Sequence, residues 1–326
     1  MITVENLSKT YTIRSLKKGK LLSYEKKIIP ALEDVSFSIT DGESVGYLGL
    51  NGSGKSTTIK LLAGMLSPDQ GLVRINGRDP FRDKSLCYEI GAVFGQKQQL
   101  WMDLPVGDSF EMLRSIYRVS RTDYAKRMEM LDSFLDFTPF LSFPARKLSL
   151  GQRMKCEFAA SLLHLPGILL LDEPTIGVDI HVRQQVLALL QYLRREYGTT
   201  ILLTTHNLSE MEELCDRIIL LNRGKIFYDG PREGIAGVTG QSDKIVFALD
   251  RPLDTAALNR LTASGYSFTV SEDDLLSVIY PRSQPNAAIE IMNVVSALVP
   301  IKHLAIEECK LEHVVHELCS NGFQQR

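Results

Sequence analysis

Glycine, lysine and serine recur near residue 50 at offsets that suit phosphate binding. Residues 49–56 read Gly-Leu-Asn-Gly-Ser-Gly-Lys-Ser and fit the pattern G-x-x-x-x-G-K-[ST]. The glycines let the backbone turn tightly, so that successive N–H groups point at phosphate oxygens, and the helix expected next adds its positive N-terminal end. An ordinary glycine-rich turn is the structural alternative. The residues predicted to bind nucleotide phosphates are Gly49, Leu50, Asn51, Gly52, Ser53, Gly54, Lys55, Ser56 and Thr57.

Two adjacent carboxylates follow an apolar run about 120 residues further on. The segment 168–175 reads Ile-Leu-Leu-Leu-Asp-Glu-Pro-Thr, with Asp172 and Glu173 at the end of the run. Ligands of open parallel sheets bind outside the carboxyl ends of the strands, so Asp172 is placed to hold Mg²⁺ together with the Ser56 hydroxyl. Glu173 is placed to act as a general base on water. A charged turn that ends a buried strand is the alternative, and the phosphate-binding pattern upstream favours the catalytic interpretation.

Short apolar runs alternate with helical segments over the first 230 residues. The runs at 44–48, 90–94, 168–171 and 201–205 suit strands that are buried on both faces of a parallel sheet. This alternation predicts an α/β fold. The phosphate-binding pattern at residues 49–56, between a predicted strand and a predicted helix, is typical of a P-loop NTPase core. Between about residues 97 and 165, three helical segments, at 108–119, 124–137 and 149–163, replace the alternation and predict an inserted helical subdomain.

The residues from 231 to 326 are predicted to form a separate small domain. A turn at residues 229–231, which read Asp-Gly-Pro, is expected to close the first domain at residues 1–230. After it, the predicted segments follow the order βαββαβ with a last helix. That order indicates an α+β ferredoxin-like arrangement.

The composition limits the class of protein. The chain has 326 residues, of which 44% are hydrophobic and 23% are charged, the ordinary mix of a soluble globular protein. A net charge of −2 gives no sign of a nucleic-acid surface, so no nucleic-acid partner is expected. Five cysteines without a Cys-x-x-Cys pair argue against a disulfide framework and favour the cytoplasm. No apolar run is long enough to span a bilayer and the start lacks a signal-peptide core, so another chain must supply the pore if this protein acts at a membrane.

Five further short motifs accompany the two phosphate-site motifs. They are Leu-Ser-Leu-Gly-Gln at residues 148–152, which opens the third helix of the insert, and the single residues Gln96, Asp179, His206 and Tyr11. In order and spacing, the motifs together resemble the ATP-binding cassette (ABC) family over about residues 1–230. The resemblance implies that residues 148–152 are the signature sequence. It also implies that the four single residues are the Q-loop glutamine, the D-loop aspartate, the switch histidine and the aromatic residue that stacks on adenine.

The resemblance implies a mechanism that needs two chains. Two such domains dimerise head to tail and enclose two ATP molecules, each held by the phosphate loop of one chain and the signature of the other. Ser149 begins a helix, so its hydroxyl and the N–H groups of Gly151 and Gln152 form an anion site that a single chain would leave unused. In the family, the catalytic residues correspond to Lys55, Gln96, Glu173 and His206, the Mg²⁺ ligands to Ser56, Gln96 and Asp172, and further nucleotide contacts to Tyr11, Ser149, Gly151, Gln152 and Asp179.

Several of these residues also have a purely structural interpretation. Ser149 and Gln152 have the spacing of a capping box, which is compatible with phosphate binding. A lone His206 is otherwise a hydrogen-bonded core histidine, Gln96 part of a loop, and Tyr11 a core tyrosine. Leu150 replaces the usual first glycine of the signature, so its side chain must point away from the nucleotide if the site is to work.

Three stretches indicate a branch of the family. Residues 94–105 and 172–179, and the sequence Leu-Glu-His-Val-Val-His-Glu-Leu at 311–318, resemble subunits of ABC-2-type exporters. That resemblance implies a subunit on the cytoplasmic face of the cell membrane, with an integral membrane permease and a second cassette, identical or different, as partners. A soluble ABC ATPase that is not a transporter and a cassette that binds ATP only as a structural switch are the competing functions.

The only tryptophan lies in the loop that leads into the helical insert. In the family, this region touches the permease, so Trp101, Met102 and Leu104 are expected at that interface. A local hydrophobic plug between subdomains is the alternative.

Overall fold

The chain forms two compact units in the computed structural model, Met1–Arg232 and Glu233–Arg326. The structure describes residues 1–16, 24–95, 98–205, 208–232, 242–250, 261, 266, 268–270, 275–281 and 286–308. Within these ranges, no helix combines the length and the apolar character that crossing a membrane requires.

Parallel strands form the centre of the first unit. Its described strands are β1 (Ile2–Leu16), β2 (Tyr24–Ile39), β3 (Ser44–Leu48), β4 (Gln70–Ile75), β5 (Ile90–Phe94), β6 (Ile168–Asp172), β7 (Thr200–Thr204), β8 (Arg217–Asn222) and β9 (Lys225–Pro231). One sheet has the order β5-β6-β7-β3-β8-β9 and is parallel except for its edge strand β9. A second, antiparallel sheet has the order β2-β1-β4. Strands β3 and β7 are buried along their whole length, so the predicted α/β core is confirmed.

Three consecutive helices lie between β5 and β6, as the inserted subdomain requires. The described helices of the first unit are α1 (Lys55–Leu62), α2 (Val106–Ile116), α3 (Arg121–Leu135), α4 (Leu150–Leu162), α5 (Ile180–Tyr197) and α6 (Leu208–Leu214). The sequence predicts that the first insert helix continues to residue 119, but α2 ends at Ile116. The reason is local, because Arg118 has a φ of 56° and leaves the helical conformation.

The apolar faces of the insert share one core with β6 and α5. Phe110 of α2 packs against Phe137 with ring centroids 5.5 Å apart and planes at 62°, a favourable edge-to-face arrangement. Phe158 of α4 and Leu171 of β6 are buried in the same cluster. This packing holds α4 in place and thereby positions its first residues.

The turn predicted at residues 229–231 is wrong. These residues continue β9, where Gly230 pairs with Ile218 and Pro231 pairs with Arg217. A proline is tolerated there because β9 is an edge strand, whose outer N–H positions have no ladder partner.

The second unit contains one antiparallel sheet. Its described elements are β10 (Ser242–Leu249), β11 (Phe268–Val270), β12 (Leu275–Pro281), α7 (Ala287–Ser296) and β13 (Ile301–Glu308). The strand order is β11-β12-β10-β13, and Ile291 of α7 is buried with Phe247 of β10. This is the order expected of a ferredoxin-like βαββαβ chain. Of the helix predicted at residues 255–263 only Leu261 is described, and it is helical. The last predicted helix lies outside the described residues.

Arg217 joins three parts of the first unit. Its guanidinium donates two hydrogen bonds to Asp229, at 2.7 and 2.8 Å, one to Glu43 at 2.9 Å and one to the Ser38 carbonyl at 2.9 Å. Partial burial alone would raise the pKa of Glu43, but hydrogen bonds from Thr40 and Arg217 outweigh it and hold that pKa below its ordinary value.

Replacing Arg217 by methionine should therefore destabilise the first unit. The substitution Arg217→Met removes four hydrogen bonds and should lower the free energy of unfolding by about 2 kcal/mol at neutral pH. Because the folded-state pKa of Glu43 is depressed, its contribution is present above the ordinary value of 4.5 and is lost as the pH falls below it. The difference in the free energy of unfolding between the wild type and Arg217→Met should therefore become smaller as the pH falls below 4.5.

Denaturant unfolding followed by Trp101 fluorescence reports on this unit. The control is Arg82→Met, because Arg82 is 86% exposed and its contact with Asp79 spans 3.5 Å. It should change the stability by less than about 0.5 kcal/mol. Equal effects of the two substitutions would contradict the role given to Arg217.

Candidate functional site

The loop between β3 and α1 can form only with glycine at several positions. Gly52 and Gly54 have φ angles of 80° and 113°, which L side chains rarely adopt. A Cβ atom on Gly54 would lie 2.5 Å from the Ala31 carbonyl oxygen, and one on Gly49 would lie 2.3 Å from that of Leu221. The local fold therefore needs the glycines that the sequence motif contains.

Two polar side chains of this loop are almost fully buried. Lys55 is 6% exposed, and its ammonium donates hydrogen bonds to the carbonyl oxygens of Gly49, at 2.7 Å, and Leu50, at 3.3 Å. The Ser53 hydroxyl is buried and has no hydrogen-bond partner among the described residues. A buried cation and an unsatisfied donor within one curved loop fit an anionic ligand such as a phosphate.

Asp172 and Glu173 end β6 and are fixed by the neighbouring strand. The Thr204 hydroxyl of β7 donates to Oδ1 of Asp172 at 2.8 Å and accepts a hydrogen bond from the Glu173 N–H at 3.1 Å. Glu173 has a φ of 51°, in the left-handed region that costs a non-glycine residue about 1–2 kcal/mol. Such strain persists where surrounding contacts determine the backbone, and it concentrates at functional sites.

One cleft connects the phosphate loop with these carboxylates. It has a volume of about 410 Å³, within the range of small-molecule sites, and its lining includes Ser56, Phe94, Gly95, Asp172 and Glu173. An adjoining cavity shares Ser56 and Glu173. That cavity is also lined by Tyr11, Asn51, Gly52, Gly54, Lys55 and Thr57.

The oxygen atoms of Ser56 and Asp172 fit a hard cation such as Mg²⁺. Magnesium is usually bound through one or two carboxylates together with phosphate oxygens and water. No group of three His, Cys, Asp or Glu side chains that could hold a metal occurs in the part of the chain that the structure describes. Ser56 and Asp172 would hold Mg²⁺ together with phosphate oxygens and water.

Tyr11 lies at the mouth of the adjoining cavity. It is half-buried on β1, beside Ile29 and Pro30 of β2, and its hydroxyl is 3.4 Å from Oγ1 of Thr57. An aromatic ring in this position is compatible with stacking on a purine.

Ser149 caps α4 as the capping-box interpretation requires. The Gln152 N–H donates to Ser149 Oγ at 3.3 Å, and the Ser149 N–H donates to Oε1 of Gln152 at 2.9 Å. Leu150 and Gly151 follow at the first helical positions, whose N–H groups have no acceptor within a helix. Neither Ser149 nor Gly151 lines the described cavities that contain Lys55 or Ser56. The helix start and the phosphate loop are thus separate features of one chain.

The side chain of Leu150 points towards Gly177 in the loop before α5. It is 44% exposed, and its Cδ2 lies 3.2 Å from where a Cβ atom on Gly177 would be. A Cβ atom on Gly151 would lie 3.6 Å from Oδ2 of Asp179. Asp179 caps α5 by accepting a hydrogen bond from the Val182 N–H at 2.9 Å, and this bond is the main reason why its pKa lies below the usual range.

Two predicted site residues, Gln96 and His206, lie outside the described residues, so their roles stay predictions. The residues before them are described. The Gly95 N–H donates to the Asp172 carbonyl oxygen at 2.9 Å, and Thr205 is buried at the end of β7.

The structure adds site residues that the sequence motifs do not reveal. Besides Thr204, the buried carboxylate of Glu210 accepts hydrogen bonds from the hydroxyls of Thr175, at 2.6 Å, and Thr205, at 2.8 Å. Glu210 thereby joins the segment after Glu173 to the end of β7. In the sequence, these contacts are indicated only by hydroxyl residues that stand at or shortly after the ends of the apolar runs at 168–171 and 201–205.

Comparisons with known proteins identify a family for this chain. A family described as ABC transporter matches residues 32–176. The ABC transporter ATP-binding protein NatA of Bacillus subtilis (strain 168) is 32% identical over 212 residues, 65% of this chain and 86% of NatA. The linearmycin resistance ATP-binding protein LnrL of the same organism is 28% identical over 240 residues, 74% of this chain and 72% of LnrL.

A solved structure of similar fold is a dimer. The post-hydrolysis state of the ATP-binding cassette MJ0796, bound to ADP and Pi, superimposes with a TM-score of 0.61 and 28% identity. The match covers 71% of this chain and 98% of that one.

Thr204→Val should reduce ATP hydrolysis by about 10- to 100-fold, because it removes the hydroxyl that binds the Asp172 carboxylate and the backbone N–H of Glu173. Thr200→Val is a matched control on the same strand. Its hydroxyl is equally buried but accepts a hydrogen bond from the Gly42 N–H at 2.9 Å, remote from the carboxylates. It should cost about 1 kcal/mol of stability and leave the rate unchanged. Steady-state hydrolysis rates of both variants give the answer, and equal rates would contradict the role of Thr204.

Proposed function

The chain belongs to the ABC transporter family as an ATP-binding, ATP-hydrolysing subunit, and from this premise we propose that it drives export through a separate membrane permease. The observation that carries the proposal is the cleft in which the phosphate loop meets Asp172 and Glu173. The separate helix start at Ser149 supports the view that a second cassette completes the site.

The phosphate loop and β1 bind ATP in this proposal. Lys55 and the buried Ser53 hydroxyl contact the β- and γ-phosphates, together with the N–H groups of the loop and of the first turn of α1. The ring of Tyr11 stacks on the adenine. Ser56, Asp172 and Gln96 would hold Mg²⁺, which would supply positive charge to offset the negative charge of the phosphates.

Glu173 acts as the general base. Its carboxylate accepts a proton from the water that attacks the γ-phosphorus, while the bond from that phosphorus to the oxygen of ADP breaks. Thr204 orients the Asp172 carboxylate and holds the backbone of Glu173 through its N–H. His206 and Gln96 contact the γ-phosphate and the attacking water, as the family resemblance implies.

The second half of each ATP site comes from another cassette. Ser149, Gly151 and Gln152 of one chain approach the γ-phosphate bound in the loop of the other, and Asp179 lies beside them. Leu150 is compatible with this arrangement because its side chain leans towards Gly177. The dimeric ADP-bound state of MJ0796 supports this proposal by similarity.

Export of the ABC-2 type is supported by the sequence of residues 94–105 and 172–179. The relative LnrL, which is named for resistance to linearmycin, fits the same direction of transport. Trp101 is 38% exposed next to half-buried Met102 and Leu104, so an aromatic surface is available for the permease. In this proposal, the chain is held at the cytoplasmic face of the membrane by that contact.

Glu173→Gln and Lys55→Ala should each reduce ATP hydrolysis by at least about 100-fold. Glu173→Gln removes the general base, and Lys55→Ala removes the positive charge that stabilises the transferred phosphate. Glu173→Gln should retain ATP binding, whereas Lys55→Ala should weaken it. The exposed change Glu196→Gln is the control. Turnover is measured with the membrane partner present. Wild-type turnover no higher than that of either variant would contradict the proposal.

Trp101→Ala should weaken the association with the permease and reduce the coupling of hydrolysis to transport. Phe81→Ala is the matched control, because Phe81 is a similarly exposed aromatic residue of the same unit. Both proteins are purified from detergent-solubilised membranes, and their partners are identified by mass. Full coupling in Trp101→Ala would reject the interface. A ribosomal or DNA-bound partner in place of an integral membrane chain would support the alternative of a soluble ABC ATPase.

A further inference from the structure

A buried carboxylate of α4 holds the segment that leads to Trp101. We propose that Glu157 is a positioning residue that fastens residues 99–101 to α4, so that the permease-facing segment moves with the helix that begins at Ser149. The inference rests on the proposed function for the roles of Ser149 and Trp101. It adds the residue that connects them within one chain.

The contacts of Glu157 are specific to this segment. Oε2 of Glu157 accepts a hydrogen bond from the Gln99 N–H at 2.8 Å, and Oε1 lies 3.4 Å from the Leu100 N–H. The Gln99 side chain donates in turn to the carbonyl oxygen of Ala92 in β5. The main chain two residues before Trp101 is therefore attached to α4, and its side chain to the sheet.

Because the Glu157 carboxylate is buried, it needs its hydrogen bonds to Gln99 and Leu100. Glu157 is only 7% exposed, and burial raises its pKa, although the two N–H donors and the charge of Arg153 lower it in part. A buried carboxylate without hydrogen bonds is strongly unfavourable. Loss of the Gln99 and Leu100 contacts would thus leave a poorly solvated charge in the core of the insert, which favours joint movement of the two elements over separation.

Glu157 lies between the start of α4 at Ser149 and the segment that leads to Trp101. It lies eight residues after Ser149, or about 12 Å along the same helix. It also lines a cavity with Phe94, Gly95 and Leu150, and the first two of these residues line the nucleotide cleft. A displacement of α4 on nucleotide binding would reach Trp101 through one side chain and two peptide groups.

Packing alone is the structural alternative. Leu100 is buried in the same apolar cluster as Met154, so the segment would remain in place without the carboxylate. The two interpretations differ in one measurable respect. Apolar contacts are not directional, whereas two hydrogen bonds to one carboxylate fix the orientation of the segment relative to α4.

Because Trp101 is the only tryptophan, its fluorescence reports directly on this segment. The emission spectrum of the full chain is recorded with and without a non-hydrolysable ATP analogue and Mg²⁺, and the analogue affinity is measured separately by calorimetry. Wild-type protein should show a shift in emission on binding. In Glu157→Gln, the amplitude of this shift should fall, because the amide group that replaces the carboxylate offers only one acceptor oxygen to the two N–H groups, with the affinity retained.

Glu43→Gln is the matched control, because Glu43 is a partly buried carboxylate of the same unit that accepts hydrogen bonds from Thr40 and Arg217. Its shift should equal that of the wild type. A full shift in Glu157→Gln, or no shift in wild-type protein that binds the analogue, would overturn the proposal. Failure of the wild type to bind the analogue would instead overturn the proposed function, and this inference with it.

Hydrogen exchange of the wild type provides a test that needs no variant. If the segment moves with α4, the amides of Gln99 and Leu100 should gain or lose protection together with those of residues 150–157 when the analogue binds. Independent changes in the two stretches would overturn the proposal even if Glu157→Gln does not fold.

Discussion

The site depends on one constraint, which is the electrostatic repulsion between a nucleoside triphosphate and the carboxylates at the end of β6. Like charges about 4 Å apart repel by about 4 kcal/mol at a dielectric constant typical of protein surfaces. Asp172 and Glu173 line the same cleft as the phosphate loop, so positive charge must lie between them and the ligand. The Lys55 ammonium, the N-terminal end of α1 and an oxygen-bound Mg²⁺ supply it in our account. The loop glycines matter because only they let the backbone N–H groups approach closely enough.

Contacts between neighbouring strands hold the negatively charged residues of the site in fixed positions, so that each can face a positive charge. The carboxyl ends of β5, β6 and β7 meet at one edge of the sheet, where the Thr204 hydroxyl of β7 donates to the Asp172 carboxylate and accepts a hydrogen bond from the Glu173 N–H. Glu173 keeps a left-handed backbone conformation that its neighbours must stabilise. On the other side, α4 is held by the core of the insert and begins at Ser149. Its first residues do not line the cavities that contain the phosphate loop of the same chain, which is what the proposed sharing of each site between two cassettes requires.

Most of the fold and the motif residues of the candidate site follow from the sequence because they depend on local chemistry. Fixed offsets of glycine, lysine and serine predict the loop between β3 and α1, and runs of Ile, Leu and Val predict strands buried on both faces. The turn expected at residues 229–231 is wrong because the sequence does not show that β9 is an edge strand. Thr204, Glu210 and Glu157 act through partners about 30 to 60 residues away, which only the folded chain brings together.

Mixing two inactive variants tests most directly whether two chains build each ATP site. Lys55→Ala damages the loop. Ser149→Asp keeps a good helix cap but places a negative charge where the γ-phosphate is expected. Each variant alone should be inactive. An equimolar mixture of identical cassettes should recover about a quarter of the wild-type ATP hydrolysis, because half of the dimers are mixed and each of these has one intact site of two. Full activity of Ser149→Asp alone, or no recovery in mixtures shown by sedimentation to contain dimers, would contradict the account.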